Sequence, residues 1–274
     1  MNKNSIINIA LLLPVILFGN APFMAVAQKL PKIQQTGKRA PADIKIDGKT
    51  TEWNDEFQAY NINNRIYYSI SNDDVNLYLT VRASDGYGNE KAIFGISFMV
   101  KIPAETGEKS KKNIVVTFPP TIEVAKIDPV RYTVVAVRRL KNGTTNADQK
   151  KIDSLRLVAN KMMGGVFKEI SITGIKEIRE SLISIYNTES IKVAAQFNDH
   201  MQYTYEMAIP LKYLGPAING GQKFSYNIKM NGLPEKTPDS PYPPPTLSIE
   251  ALGQDNAYVS YPTDFSGIYT LVKK

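Results

Sequence analysis

The stretch RIYYSISNDDVNLYLTVRA, from Arg65 to Ala83, alternates apolar and polar residues on both sides of an Asn-Asp-Asp segment. Ile66, Tyr68 and Ile70 are separated by single residues, and Leu77–Val81 repeats the same spacing. Side chains at every second position share one face of a β-strand, whereas asparagine and aspartate favour turns. The pattern therefore predicts two antiparallel strands joined by a tight turn.

The same alternation recurs in six later segments, which are separated by loops rich in glycine, proline, asparagine and aspartate. Many short strands without intervening long helices are typical of an antiparallel sandwich. We therefore expect an all-β fold, an antiparallel β-sandwich of jelly-roll or immunoglobulin-like layers with at most one or two short helices. The predicted strands are Phe94–Ile102, Tyr132–Val137, Ile191–Phe197, Tyr203–Leu211, Phe224–Met230 and, more weakly, Gly267–Lys273.

One helix is predicted at Asp148–Met163, where apolar residues recur every three or four positions before a Gly-Gly pair. The stripe consists of Ile152, Leu155, Ala159 and Met162. The letters LRLVA within it also fit a strand, so both interpretations stay open.

The first 27 residues have the pattern of a secretory signal peptide. Lys3 precedes the apolar run Ile6–Phe18, and the small residues Ala25 and Ala27 stand where a signal peptidase cleaves. This run is shorter than the roughly 20 residues that span a bilayer, and no second run of that kind follows. We expect a secreted or periplasmic protein with no membrane span in the mature chain.

The chain contains no cysteine and a single histidine, His200. These counts exclude disulfides, thiolate metal sites, a cysteine nucleophile and the lipid-modified cysteine of a bacterial lipoprotein. A conventional zinc site, which needs several nitrogen or sulfur ligands, is excluded as well. Export without a lipid anchor is the expectation that remains.

Residues 28–40 show no periodicity and predict a flexible leader, while residues 41–274 have the length of a single sandwich domain. The formal net charge is +7, with basic clusters at Glu108–Lys112 and Val137–Lys141. Neither cluster interleaves arginine with aromatic residues, the arrangement that favours nucleic acid. We predict solvated surface there and no nucleic-acid partner.

Several motifs follow one another along the chain: IKIDGKTTEW (44–53), the hairpin YYSISNDDVNLYLTVRASD (67–85), YTYEMAIPLKYLG (203–215) with GQKFSYNIKMNG (221–232), and DFSGIYTL (264–271). Taken in this order, they resemble the motifs of family-nine carbohydrate-binding modules and their DOMON-type relatives among extracellular sandwich proteins. The resemblance covers Pro41–Asp85 and Tyr203–Leu271, but not the segment between them. It implies a β-sandwich that binds extracellular carbohydrate without catalysis.

In that family the first motif is a structural element, which implies structural roles for Asp47, Gly48 and Trp53. The residue types agree with those roles. Asp47 can accept backbone N–H bonds across a turn, Gly48 permits the turn conformation, and Trp53 brings a large apolar surface to the core.

A sugar site needs flat aromatic faces with polar groups at its rim. The resembling modules that bind sugar ends use two tryptophans, whereas this chain has only Trp53. Tyrosines in loops would have to replace them. The candidates are Tyr87, in SDGYGNE, and Tyr242, which surrounding prolines would hold rigid. A rigid loop without a ligand is the alternative.

The resemblance leaves a calcium ion open as a cofactor, because members of that family hold calcium in loops. The acidic residues around Gly48 do not follow the spacing of a calcium-binding helix-loop-helix. Asp73, Asp74 and Asp85 are the weak metal candidates. No cofactor is predicted with certainty.

Glu206 is the most plausible acid for glycoside hydrolysis, which requires two facing carboxylates. It shares a strand face with Thr204 and Ala208, so we expect it to face water or pair with a lysine. His200 lies in a polar turn sequence without a nucleophile motif nearby.

The predicted function is therefore binding and not catalysis. An envelope scaffold that binds partner proteins is the main alternative to a carbohydrate-binding module. A haem-binding redox domain is a weaker one; its ligands would be His200 with one of Met99, Met201, Met207 and Met230.

Overall fold

The computed structural model describes residues 29–102, 112–121, 123–143, 149–234 and 253–273. The predicted signal peptide, most of the Glu108–Lys112 cluster and Tyr242 lie outside these ranges. No helix within the ranges is both long and apolar enough to cross a bilayer.

Two antiparallel sheets form the framework of the molecule. The first sheet has five strands in the spatial order β1 (Ala59–Asn61), β2 (Ile66–Asn72), β3 (Asn76–Ala83), β9 (Tyr203–Pro210), β8 (Lys192–Phe197). The second has six, in the order β11 (Thr263–Tyr269), β10 (Phe224–Met230), β4 (Ile96–Ile102), β5 (Lys112–Phe118), β6 (Glu169–Thr173), β7 (Leu182–Ser184).

The inner faces of the two sheets share one hydrophobic core. The hydroxyl groups of Tyr68 on β2 and Tyr226 on β10 are hydrogen-bonded at 3.1 Å, and the rings of Phe118 and Tyr205 lie 6.4 Å apart. Each pair joins one sheet to the other. The sandwich arrangement of two antiparallel sheets is therefore confirmed.

The hairpin predicted from the opening stretch is confirmed in its register. β2 and β3 pair around a turn at residues 73–75, with Tyr68 opposite Val81 and Ile70 opposite Leu79. The predicted strands that correspond to β4, β8, β9 and β10 are also confirmed, and the weakest one, at Gly267–Lys273, overlaps β11.

The expectation of one or two short helices is wrong. The described residues contain α1 (Gly86–Ala92), α2 (Val124–Gly143), α3 (Gln149–Val166), α4 (Gly215–Asn219) and α5 (Gln254–Ser260). The two long helices α2 and α3 pack on each other and connect β5 to β6. The fold is therefore sheet-rich without being all-β. The helix predicted at Asp148–Met163 is confirmed as α3.

The strand predicted at Tyr132–Val137 is wrong, because these residues belong to α2. The alternation within these six residues suggested a strand, but over the longer segment the buried residues Ile127, Val130, Val134 and Val137 recur at intervals of three and four. That spacing places all four on one face of a helix. Tertiary burial of this stripe outweighs the modest strand preference of valine.

The segment predicted as a flexible leader contacts the first sheet at several of its described residues. Pro31 accepts a backbone hydrogen bond from Tyr60, and the buried side chain of Gln34 exchanges two bonds with the backbone of Ile70, at 2.7 and 2.8 Å. Such bonds substitute for a neighbouring strand.

Candidate functional site

The motif IKIDGKTTEW lies on the outer face of the first sheet, the face that points away from the second sheet. Its apolar residues form no strand, and only Thr51–Trp53 is regular, as a short 3-10 helix. Trp53 is 2% exposed and packs with Tyr78 and Ala208, which are opposite one another on β3 and β9. The tryptophan is thus buried in a small separate cluster and not in the core between the sheets.

Glu206 lies beneath this motif and is fully buried. Trp53 Nε1 donates to Oε1 at 2.8 Å, while the backbone N–H groups of Asp47 and Gly48 donate to Oε2 at 3.2 and 2.9 Å. The expectation that Glu206 faces water is therefore wrong. Its face of β9 is covered by the motif, which the period of the strand alone could not reveal.

The protonation of Glu206 is shifted by this burial. Loss of solvent raises the pKa of its carboxyl to about 7, although the three donated hydrogen bonds act in the opposite direction. All three described contacts are donors, so the carboxylate is used to hold the motif. The negative charge of Asp47 adds a smaller upward effect on this pKa, but Asp47 reaches Glu206 through its backbone N–H, and its own carboxylate accepts the N–H of Lys49. The Asp47 and Glu206 carboxylates therefore do not form a hydrogen-bonded acid pair of the kind that glycoside hydrolysis uses.

Gly48 allows the motif to approach β8 and β9 closely. Its φ is +82°, and a Cβ added there would lie 3.0 to 3.1 Å from backbone atoms of Ala195. The Thr204 hydroxyl also donates to the Gly48 carbonyl. A side chain would meet both a disfavoured backbone conformation and a rigid neighbour. Asp47 accepts a bond from the N–H of Lys49, as its turn position predicts.

The metal candidates Asp73 and Asp74 already have protein partners. Asp73 accepts bonds from the backbone N–H groups of Val75 and Asn76 and from the Tyr78 hydroxyl. Burial raises its pKa, but these hydrogen bonds outweigh burial and leave the pKa lowered. Asp74 is paired with Arg39 at 2.8 Å.

Asp85, the third metal candidate, is the N-cap of α1. It accepts the N–H of Gly88 at 2.7 Å and pairs with Arg65 at 3.4 Å. Within the described ranges, no three or more acidic or histidine side chains are grouped in a way that could hold a metal ion. The three aspartates are therefore explained locally, as a turn, an ion pair and a helix cap.

Tyr87, the described member of the predicted tyrosine pair, lies on α1 and packs partly against the core. The guanidinium carbon of Arg138 is 3.9 Å from the centre of its ring, and that of Arg65 is 5.5 Å away. Arginine thus occupies ring surface that a sugar platform would present. Arg138 also binds the buried Glu90 together with Arg131, which anchors α2 to α1.

Two neighbouring cavities form what we call the helix groove. The first, of about 470 Å³, lies between α1, α2 and the turn at 198–202 that joins β8 to β9. The second, of about 700 Å³, lies between the end of α2, α3 and the same turn. Lys141 and His200 line both cavities. Polar residues that line one cavity or the other include Ser84, Gln202, Gln149, Asp153, Arg156 and Asp199.

The helix groove mixes donors and acceptors of both charges. Lys141 Nζ donates to the His200 carbonyl at 2.6 Å, and burial lowers the pKa of Lys141. Arg156 pairs with Asp199 at 3.1 Å. The exposed turn predicted for His200 is confirmed, and its imidazole makes no hydrogen bond with a described residue. No Trp, Tyr or Phe is among the described residues that line the groove.

A buried lysine near α1 is a feature that the sequence did not suggest. Lys91 is fully buried, donates to the Thr263 hydroxyl at 2.8 Å and lies 4.1 Å from the centre of the Tyr258 ring. Burial, with a smaller effect of the nearby Arg65 charge, lowers the pKa of Lys91 to about 7. No carboxylate among the described residues pairs with it.

Sequence reasoning identified Tyr87 and Asp85 but missed the helix groove next to them, because α2 was interpreted as a strand. It also missed the role of Glu206. The sequence held one signal for that role, since Glu206 is the only charged residue in Tyr203–Pro210. The structure adds that all eight positions of this strand are buried. Met207 and Met230, two of the haem candidates, lie in the core as their strand positions predict.

The comparisons with known proteins give no relative: no protein-family model, curated protein or solved structure matches this chain.

Proposed function

We propose that the protein is an exported, non-catalytic binding module, and that the helix groove binds a segment of extracellular carbohydrate. Two observations support this proposal: the order of motifs that resembles family-nine carbohydrate-binding modules, and the mixed donors and acceptors along the groove. The second carries the argument. Sugar hydroxyl groups both donate and accept, so a cleft that offers both suits them.

Three residues of the helix groove supply the hydrogen-bond donors and acceptors for such hydroxyl groups. The His200 ring nitrogens have no described partner, Lys141 uses one of its three donors on a carbonyl group, and Asp153 adds acceptors. Because no Trp, Tyr or Phe among the described residues lines the groove, hydrogen bonds supply most of the recognition. Affinity for a single sugar should then be modest, and a longer chain that spans both cavities should bind more tightly.

The test is a titration of the mature protein with a panel of neutral and acidic oligosaccharides of increasing length. His200→Ala and Lys141→Met should each weaken binding about tenfold, which corresponds to the loss of one good hydrogen bond. Lys229→Met is the matched control, since Lys229 is exposed on β10 and does not line the groove. Tyr242→Ala tests the other predicted tyrosine separately. Absence of binding to the whole panel, or binding that survives both groove variants, contradicts the proposal.

An envelope scaffold that binds partner proteins is a second candidate, supported by apolar residues exposed on α3. Leu157 and Val158 are 60% and 42% exposed. Large apolar side chains that are exposed to solvent are a common feature of protein interfaces. If this function is correct, a partner recovered from envelope extract should be lost with Leu157→Glu and retained with His200→Ala; the reverse pattern supports the carbohydrate site.

A further inference from the structure

A cavity on the outer face of the first sheet combines an apolar floor with unpaired positive charge. We call it the sheet pocket; its volume is about 550 Å³, within the range of small-molecule sites. One wall is the segment Ile44–Ile46, which belongs to the motif held by Glu206. The ends of β3, β8 and β9 complete the pocket. It is separate from the helix groove and shares no lining residue with it.

The floor of the sheet pocket is aliphatic. It is lined by five aliphatic residues: Ile44, Ile46, Val75, Ala208 and Pro210. Of these, Val75 is 64% exposed. The one aromatic residue in the lining is Tyr78. Its ring is almost fully buried, and its hydroxyl is occupied by Asp73 and Asn76. A sugar would find no open ring to stack on, whereas a hydrocarbon chain would cover apolar surface that is now exposed.

The rim of the sheet pocket is cationic. Lys45, Lys192 and Lys212 are exposed residues on three different elements, and none of them forms an ion pair with a described residue. Lys212 does lie 4.9 Å from the ring of Tyr213. No acidic residue is among the described lining residues. The Asp73 carboxylate lies next to this lining, where it accepts hydrogen bonds from Val75, Asn76 and Tyr78. The three positive charges of the rim exceed this single negative charge, so they attract an anion and are relieved by it.

We propose that the sheet pocket binds an aliphatic carboxylate, with its hydrocarbon chain on the isoleucine, valine and proline floor and its carboxylate among the three lysines. The positive charge of the rim and the apolar surface of the floor together determine which ligand binds. A neutral alcohol leaves the lysines without a partner, and a short carboxylate leaves the floor uncovered. The proposal is independent of the proposed carbohydrate function, because it uses different residues.

The test is calorimetric titration of the full chain after signal-peptide removal, with decanoate, decanol and acetate as three separate probes below their aggregation concentrations. Decanoate should bind at least tenfold more tightly than either of the others, and added sodium chloride should weaken it. If acetate or decanol matches decanoate, or decanoate does not bind, the proposal is overturned.

Variants locate the site. Lys192→Met and Lys212→Met should each weaken decanoate binding about three- to tenfold, and Val75→Asp, which adds a negative charge at the exposed floor, should weaken it further. Lys229→Met is the control, since this exposed lysine is on the other sheet. The four substituted residues are all exposed to solvent, so circular dichroism should show an unchanged fold. Equal affinity in the control and the pocket variants overturns the assignment.

Discussion

Trp53 Nε1 and Glu206 Oε1 are joined by a 2.8 Å hydrogen bond between residues 153 positions apart. The only tryptophan and a fully buried carboxylate therefore stabilise each other on the outer face of the first sheet. Through the same carboxylate, the backbone of Asp47 and Gly48 is fixed as well. This relationship explains why a motif without regular strand structure is held in one conformation.

Replacement of the donor tests that bond directly. Trp53→Phe keeps an aromatic ring but leaves Oε1 of Glu206 without its donor, so we expect a loss of about 1–3 kcal/mol in the free energy of unfolding. Trp53→Ala also removes packing and should cost about 3–5 kcal/mol, enough to unfold a marginal domain. Urea unfolding followed by far-ultraviolet circular dichroism measures both. A double-mutant cycle of Trp53→Phe with Glu206→Gln should give a non-zero coupling energy. Additive effects would mean that the bond contributes nothing.

The raised pKa of Glu206 predicts a dependence of stability on pH. The ordinary value is 4.5 and the folded value about 7, so in this window the folded state holds a proton that the unfolded state has lost. The stability contributed by this group is complete below pH 4.5 and is lost as the pH rises to about 7. The slope is at most about 1.4 kcal/mol per pH unit.

Glu206→Gln removes this titration. The difference in unfolding free energy between the native chain and the variant should therefore change across pH 4.5 to 7 and stay constant above it. The variant should also be less stable at pH 5, because its amide N–H₂ must face at least one of the three donors. A difference that is constant with pH contradicts the assigned pKa shift.

Lys91 predicts the opposite trend at higher pH. Its pKa falls from 10.5 to about 7 on folding, so between these values the unfolded state binds the extra proton, and stability rises with pH. Lys91→Met should remove that rise and stabilise the protein below pH 7, where the buried ammonium is costly. Lys229→Met should leave the profile unchanged. Parallel profiles for the native chain and Lys91→Met would show that Lys91 is not perturbed.

Gly48 predicts a strong effect of one methyl group. Gly48→Ala must place a side chain at φ +82°, within 3.0 to 3.1 Å of Ala195 backbone atoms, and should lower the unfolding free energy by about 1–3 kcal/mol. Gly165→Ala is the matched control. Gly165 lies in α3, and an added Cβ there would have no atom within 4 Å apart from its chain neighbours and the backbone of its own helix, so that change should be neutral or stabilising by up to about 1 kcal/mol. Similar effects of the two substitutions would contradict the close approach.

The sequence alone determined the strands whose two faces differ, because period-two alternation follows directly from strand geometry. The hairpin of Ile66–Asn72 with Asn76–Ala83 shows this in full register. Prediction failed where a short segment fits two periods. In α2 the six residues Tyr132–Val137 fit alternation, whereas the longer stripe from Ile127 to Val137 has helical spacing, and only burial of that stripe decides between the two.

Only the tertiary structure decided what Glu206 and the groove residues do. Alternation places Glu206 on the face opposite the core, and nothing local to β9 shows that a loop about 150 residues earlier covers that face. The helix groove and the sheet pocket also combine residues from distant segments, such as Lys45 with Lys192, or Lys141 with His200. Local periodicity fixes which side of an element a residue lies on, whereas the packing of remote elements fixes its neighbours, and chemistry depends on the neighbours.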